Sequence, residues 1–184
     1  MAVENKNKVT KTEGEKLLER LLVKRKNGWE SLNEQERKKI LKFSDGYIKF
    51  LNNGKIEREV VKEAKEIAEA RGFKPLNDYK KLKAGDKVYY INRNKNITLA
   101  VIGQDKLEKG INVVGAHMDS PRLDLKPNPL YEDTDLAYFK TQYYGGIKKY
   151  QWVTIPLAIH GVVSLKNGKN IEIKIGDEQD DLTF

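Results

Sequence analysis

The sequence predicts an α/β protein: N-terminal helices, then the start of a helix-covered mixed sheet, then the opening strands of a second, β-rich unit. Apolar residues recur at helical spacing through the first 71 residues. After Gly72 the pattern becomes short β-forming segments separated by Gly, Asn and Asp. From Pro127-Asn128-Pro129 onward, strand-like segments follow one another with no helical pattern between them. These changes divide the chain into 1–127 and 128–184.

A first helix runs through Leu17, Leu18, Leu21 and Leu22. Ser31-Leu32-Asn33-Glu34 has the spacing of a capping box, and Ile40, Leu41, Phe43, Tyr47, Ile48 and Leu51 then form an apolar face that ends near Asn53-Gly54. In the next helix Ile56, Val60, Ala64, Ile67 and Ala68 fall on one stripe, with acids early and Arg71-Gly72 as the stop.

Lys87–Ile91 and Ile97–Ile102 read as a hairpin across Asn92-Arg93-Asn94-Lys95-Asn96. Ile111–Ala116 is short and wholly apolar apart from Asn112, as expected of a strand buried on both faces. Beyond the prolines, Leu136–Tyr144, Trp152–Val163 and Ile171–Ile175 are the candidate strands. No internal repeat is visible.

Composition excludes several classes of function. With 39% hydrophobic and 34% charged residues the 184-residue chain can bury a core. It has no cysteine, which removes disulfides, thiolate metal sites and cysteine nucleophiles. Any metal must therefore bind through His, Asp or Glu. No apolar run approaches the roughly 18–20 residues that cross a bilayer, and the Met1–Lys6 start lacks the apolar core of a secretory signal. A cytoplasmic protein with no membrane partner is the expectation.

The net charge of +8 invites a nucleic-acid reading. Residues 128–184 hold six lysines against eight carboxylates, a net of −2, which leaves +10 on residues 1–127. There the bases mostly stand beside acids, as in Glu57-Arg58-Glu59, Lys62-Glu63 and Lys65-Glu66, the pattern of solvated helix faces. Lys24-Arg25-Lys26 and Lys80-Lys81 with Lys83 are unbroken positive clusters, and no nucleic-acid partner is expected.

The two histidines, His117 and His160, narrow the search for chemistry. His117 follows the apolar segment in Gly115-Ala116-His117-Met118-Asp119-Ser120-Pro121-Arg122-Leu123-Asp124, where an α/β sheet delivers residues to its ligand crevice. Residues two apart in an extended chain point the same way, so Asp119 can sit beside the His117 ring and fix its tautomer. Spacing alone leaves a metal ligand and a structural strand-end histidine equally open. Ser120, ahead of a proline and without a nearby base, reads as a turn residue. His160, in Ile159-His160-Gly161-Val162-Val163, reads as a packed strand residue.

The stretch GAHMDSPRLDLKPNPLYED, followed by YYGGIKKYQWVTIPLAIHGVV, resembles the aspartyl aminopeptidase family of dinuclear zinc exopeptidases. The run FLNNGKIEREVVKEAKEIAEARGF and the hairpin GDKVYYINRNKNITLAVIG are similar to that family too, so the likeness covers essentially the whole chain. It is nearest a bacterial branch, since Thr154-Ile155-Pro156 stands where other members have an Asp-Arg dipeptide after the tryptophan.

The resemblance implies that His117 ligates one of two zinc ions, that Asp119 is the catalytic-site carboxylate that orients it, and that peptides are the substrate. It also implies homo-oligomers and a β-rich dimerisation domain inserted in the catalytic domain. Residues 1–127 would be the N-terminal part of the catalytic domain and 128–184 the beginning of the insert. The family's bridging Asp, Glu-Glu pair, further carboxylate and late His match no position here, so the chain alone is expected to be inactive. A non-catalytic assembly or binding module of the same descent is the alternative.

Overall fold

The computed structural model describes residues 11–23 and 25–184. The Met1–Lys6 start and Lys24 of the basic cluster lie outside them. The chain divides into two compact units, up to Asp45 and from Gly46 onward.

In the first unit α1 (Glu13–Leu21) begins with a reciprocal cap: Thr12 Oγ1 accepts from the Glu15 N–H at 3.3 Å and Glu15 Oε2 accepts from the Thr12 N–H at 2.8 Å. A 3₁₀ turn, Gly28–Ser31, follows. The Arg37 guanidinium lies 5.3 Å from the centre of the Trp29 ring and donates to the Trp29 carbonyl at 3.0 Å. Helix α2 (Glu34–Asn53) is capped two residues later than its sequence suggests. Asn33 Oδ1 accepts from the Glu36 N–H at 3.0 Å and Glu36 Oε2 accepts from the Asn33 N–H at 2.9 Å, while Ser31 Oγ donates back to the Gly28 carbonyl inside the 3₁₀ turn. Asparagine caps as well as serine, and the turn has already taken the serine.

The second unit carries the core. Helix α3 (Glu57–Ala70) begins where Glu59 Oε2 accepts from the Lys55 and Ile56 N–H groups at 2.8 and 3.3 Å. It stops at Gly72, whose φ of +84° is the left-handed conformation a helix end needs. A Cβ on Gly54, in the bend before α3, would meet Val60 Cγ2 at 2.8 Å, so only glycine lets the chain pass. The sheet under α3 comprises β1 (Lys74–Pro75), β2 (Lys87–Asn92) and β3 (Asn96–Val101), β1–β2 parallel and β2–β3 antiparallel. Val60, Val61 and Ala68 of α3 and Val88 and Tyr89 of β2 are the buried apolar residues among those described. The hairpin closes over the three residues 93–95, with Arg93 and Asn94 at φ +52° and +56° and the Lys95 N–H donating to the Asn92 carbonyl at 3.0 Å.

Ile111–Ala116 is not a buried strand. It forms no ladder, and Ile111, Val113 and Val114 are exposed, Val114 completely. Apolar character marks a segment for burial, but a strand also needs neighbours to pair with, and among the described residues no strand pairs with it.

Two hairpins follow. Strands β4 (Arg122–Asp133) and β5 (Leu136–Tyr144) pair antiparallel around a turn with Thr134 and Asp135 at φ +54° and +61°. The register breaks between Leu125 and Leu130, where Pro127 and Pro129 have no N–H to donate and Asn128 takes a φ of +54°. The prolines therefore lie in a bulge of β4, and Arg122–Leu125 is a strand the sequence reading did not assign. Conversely, the strand expected from Trp152 begins only at Ile159. Lys149–Trp152 forms a short helical turn, α4, and Pro156 then withholds a donor. Strands β6 (Ile159–Ser164) and β7 (Asn170–Ile175) complete the fold, and Leu157 and Phe184 exchange backbone bonds of 2.8 and 3.0 Å. The result is a mixed α/β fold with three separate sheets among the described residues.

Candidate metal site at His117

His117 lies outside regular secondary structure just ahead of β4, with 83% of its side chain exposed. Its Nδ1 is 2.9 Å from the Asp119 carbonyl oxygen and 3.4 Å from Asp119 Oδ1. A carbonyl can only accept, so Nδ1 carries the hydrogen, and in the neutral ring the lone pair is on Nε2. That is the tautomer a metal-binding imidazole needs. The Asp119 carboxyl is held below the usual carboxylate range, first by a hydrogen bond from the Tyr144 hydroxyl, then by its own backbone N–H, with His117 and Arg122 adding to the effect. The same bond pushes the Tyr144 phenol up.

Behind this pair stands Arg122. Its Nε donates to Asp124 Oδ1 at 2.7 Å, its Nη2 lies 3.4 Å from Glu57 Oε1 of α3, and its guanidinium centre lies 4.0 Å from the centre of the Tyr144 ring. Asp124 is thus committed to Arg122. Sequence reasoning missed Arg122, Tyr144 and Glu57; the alternation Arg-Leu-Asp at a strand start was the available signal for the first.

His160 sits elsewhere, on β6, with only 7% of its side chain exposed. Its Nδ1 is 2.7 Å from Glu59 Oε1, and its Nε2 is 3.0 Å from Asp177 Oδ2 without hydrogen-bond alignment. The two carboxylates occupy opposite edges of the ring, so the trio cannot converge on one ion. Among the described residues no group of three His, Asp or Glu side chains is placed to hold a metal. A catalytic zinc takes three protein ligands as a rule. His117 therefore fits one position of such a coordination sphere, and no second ligand stands beside it. A cleft of about 710 Å³ between α3 and the β6–β7 hairpin is lined by charged groups including Arg58, Lys62, Glu63 and Lys174, and neither His117 nor Asp119 reaches it.

Comparison with known proteins places the chain in a class of metal-dependent proteases. Residues 50–183 match the aminopeptidase I zinc metalloproteases (M18), and the chain belongs to that family. The probable M18 family aminopeptidase 1 of Borrelia garinii subsp. bavariensis is 49% identical over 162 residues, covering 88% of this chain and 35% of the relative. The protein of the same name from Thermotoga maritima is 49% identical over 166 residues, again 88% and 35%. Among solved structures, aminopeptidase I from Borrelia burgdorferi superposes with a TM-score of 0.83 at 48% identity, over 86% of this chain and 39% of that one. The Thermotoga maritima M18 aminopeptidase gives 0.81 at 48% identity, over 88% and 35%. The chain spans about 35% of the length of these curated relatives. Zinc is the metal of the family. No helix among the described residues is long and apolar enough to cross a membrane.

Proposed function

We propose that the protein is a zinc-dependent aminopeptidase that releases N-terminal, acidic residues from peptides in the cytoplasm, working as a homo-oligomer with two zinc ions. This chain supplies the first part of the catalytic domain, residues 1–127, and the opening of an inserted dimerisation domain, residues 128–184. The observation that carries the reading is the His117 ring. Its Nδ1 is tied to Asp119 and its Nε2 is free to ligate, in a chain that belongs to a zinc metalloprotease family. Zinc, when bound, polarises the scissile carbonyl and lowers the pKa of bound water. His117 would hold the ion, and Asp119 would keep the imidazole in the ligating tautomer and add negative charge behind it. No residue of this chain is assigned as the general base. Exposed aromatic residues of the second segment, Tyr138, Phe139, Tyr143, Tyr144 and Tyr150 among them, are the area that an association surface favours.

The test is hydrolysis by the zinc-reconstituted full-length protein of peptides that differ only in an N-terminal Asp, Glu or Leu. Zinc-dependent release of Asp or Glu ahead of Leu supports the reading; release of Leu ahead of the acids would reject the acidic preference. No release from any peptide by zinc-loaded protein would favour a non-catalytic assembly module.

A further inference from the structure

We infer that the β6–β7 hairpin is a flap, closed beside the α3 cleft by one polar latch, the His160–Glu59 bond. The hairpin and the residues after it form a self-contained module. Its strands pair with each other alone, in an unbroken register from Ile159 opposite Ile175 to Ser164 opposite Asn170. Its open end is tied off within the module: Leu157 and Phe184 exchange backbone bonds of 2.8 and 3.0 Å, and Asp181 Oδ2 accepts from the Gly176 N–H at 2.8 Å. Gly176 turns at a φ of +102°, where a Cβ would meet Ala158 Cα at 2.9 Å, so glycine lets the two ends of the hairpin close on each other.

Little holds this module to the helix and sheet beside it. Among the described residues no backbone hydrogen bond joins residues 157–184 to α3 or to the β1–β3 sheet. The Phe184 ring lies 6.0 Å from that of Phe139 on β5, and the one polar link to α3 among the described residues is His160 Nδ1 to Glu59 Oε1 at 2.7 Å. Beside that link the surfaces stand apart around the cleft of about 710 Å³, lined by Val61 and Lys62 of α3 and by Val162 and Ile173 of the hairpin. Asp177 and its partner Lys174, 3.4 Å away, belong to the module and travel with His160. Glu59 stays behind, still accepting from the Lys55 and Ile56 N–H groups. Opening therefore breaks one charge-assisted bond and no ladder, which sets it apart from unfolding of the core.

The experiment is hydrogen exchange of the full-length protein, read by mass spectrometry on peptides from β6–β7 and from β2–β3 at several urea concentrations below the unfolding transition. In wild type the hairpin amides are expected to exchange at least about 10-fold faster than those of β2, at a rate that barely responds to urea, because opening a flap exposes little surface. His160→Ala should speed the hairpin about a further 10-fold, and His160→Gln, whose amide can donate to Glu59, should speed it less. Hairpin amides as slow as those of β2 and equally sensitive to urea would show that the hairpin opens only with the whole fold. Hairpin exchange unchanged in His160→Ala would show that the bond to Glu59 does not hold it closed. Either result overturns the inference, and the first needs no variant, so it decides even where His160→Ala fails to fold.

Discussion

His160 Nδ1 lies 2.7 Å from Glu59 Oε1, joining a strand histidine to the first turn of α3 across 101 residues of sequence. Glu59 uses its other oxygen on the Lys55 and Ile56 N–H groups, so one carboxylate both starts the helix and anchors the β6–β7 hairpin to it. Asp177, backed by Lys174 at 3.4 Å, stands on the far side of the ring. The imidazole separates two like charges that would otherwise face the same buried space.

Removing it should therefore cost more than a lost contact. His160→Ala is expected to destabilise the full-length protein by about 1–3 kcal/mol, because Glu59 loses its hydrogen-bond partner on the ring and the two carboxylates lose the group between them, and His160→Gln should recover part of this through its amide N–H. Urea midpoints of the three proteins decide it; equal midpoints for wild type and His160→Ala would show that the anchor contributes nothing.

Asp181 supplies a pH-dependent contribution at the β7 end. Its Oδ2 accepts from the Gly176 N–H at 2.8 Å and the Glu178 N–H at 3.3 Å, and these bonds, Gly176 first, hold the carboxyl below its ordinary range. A depressed folded-state pKa stabilises above the unfolded value, about 3.9, and that stabilisation is lost as pH falls through the folded one. Wild type should thus exceed Asp181→Ala in stability by a constant margin at neutral pH, and the margin should close below about pH 4. A margin that persists at lower pH would contradict this.

Tyr89 sets the opposite limit. Its hydroxyl donates to Glu69 Oε1 at 2.7 Å, and that bond, with burial and the charge of Glu69, pushes the phenol up to about 12. A raised folded-state pKa stabilises fully below the unfolded value, about 10, and the contribution disappears as pH rises through about 12. Tyr89→Phe should flatten the alkaline limb of the stability profile in that window, measured by denaturant midpoints at increasing pH. An unaltered limb would mean that Tyr89 does not titrate as the fold departs.

The sequence was most legible where the period of the pattern decides alone. The stripe of Ile56, Val60, Ala64, Ile67 and Ala68 gives α3 almost to the residue, and Leu136–Tyr144 coincides with β5. It was least legible where a partner decides. Ile111–Ala116 reads as a core strand, but pairing is a property of two segments, and the chain covers about 35% of its relatives' length. Strand β4 was hidden by Pro127 and Pro129, which a bulge accommodates. At the site, the His-x-Asp spacing correctly brought Asp119 beside His117, though the backbone carbonyl of Asp119 makes the shorter contact. Tyr144 and Glu57 could not be found by spacing, since they reach the site by strand register and by an arginine.

His117 Nε2 is proposed to ligate zinc in a peptidase. The most direct measurement is the metal content and peptidase rate of full-length wild type and His117→Ala, purified alike and equilibrated with limiting zinc. Loss of one imidazole ligand should remove the ion from its site and abolish release of an N-terminal acidic residue, while Asp119→Asn should lose about 10 to 100-fold. Wild-type zinc content with wild-type turnover in His117→Ala would show that His117 is not a zinc ligand.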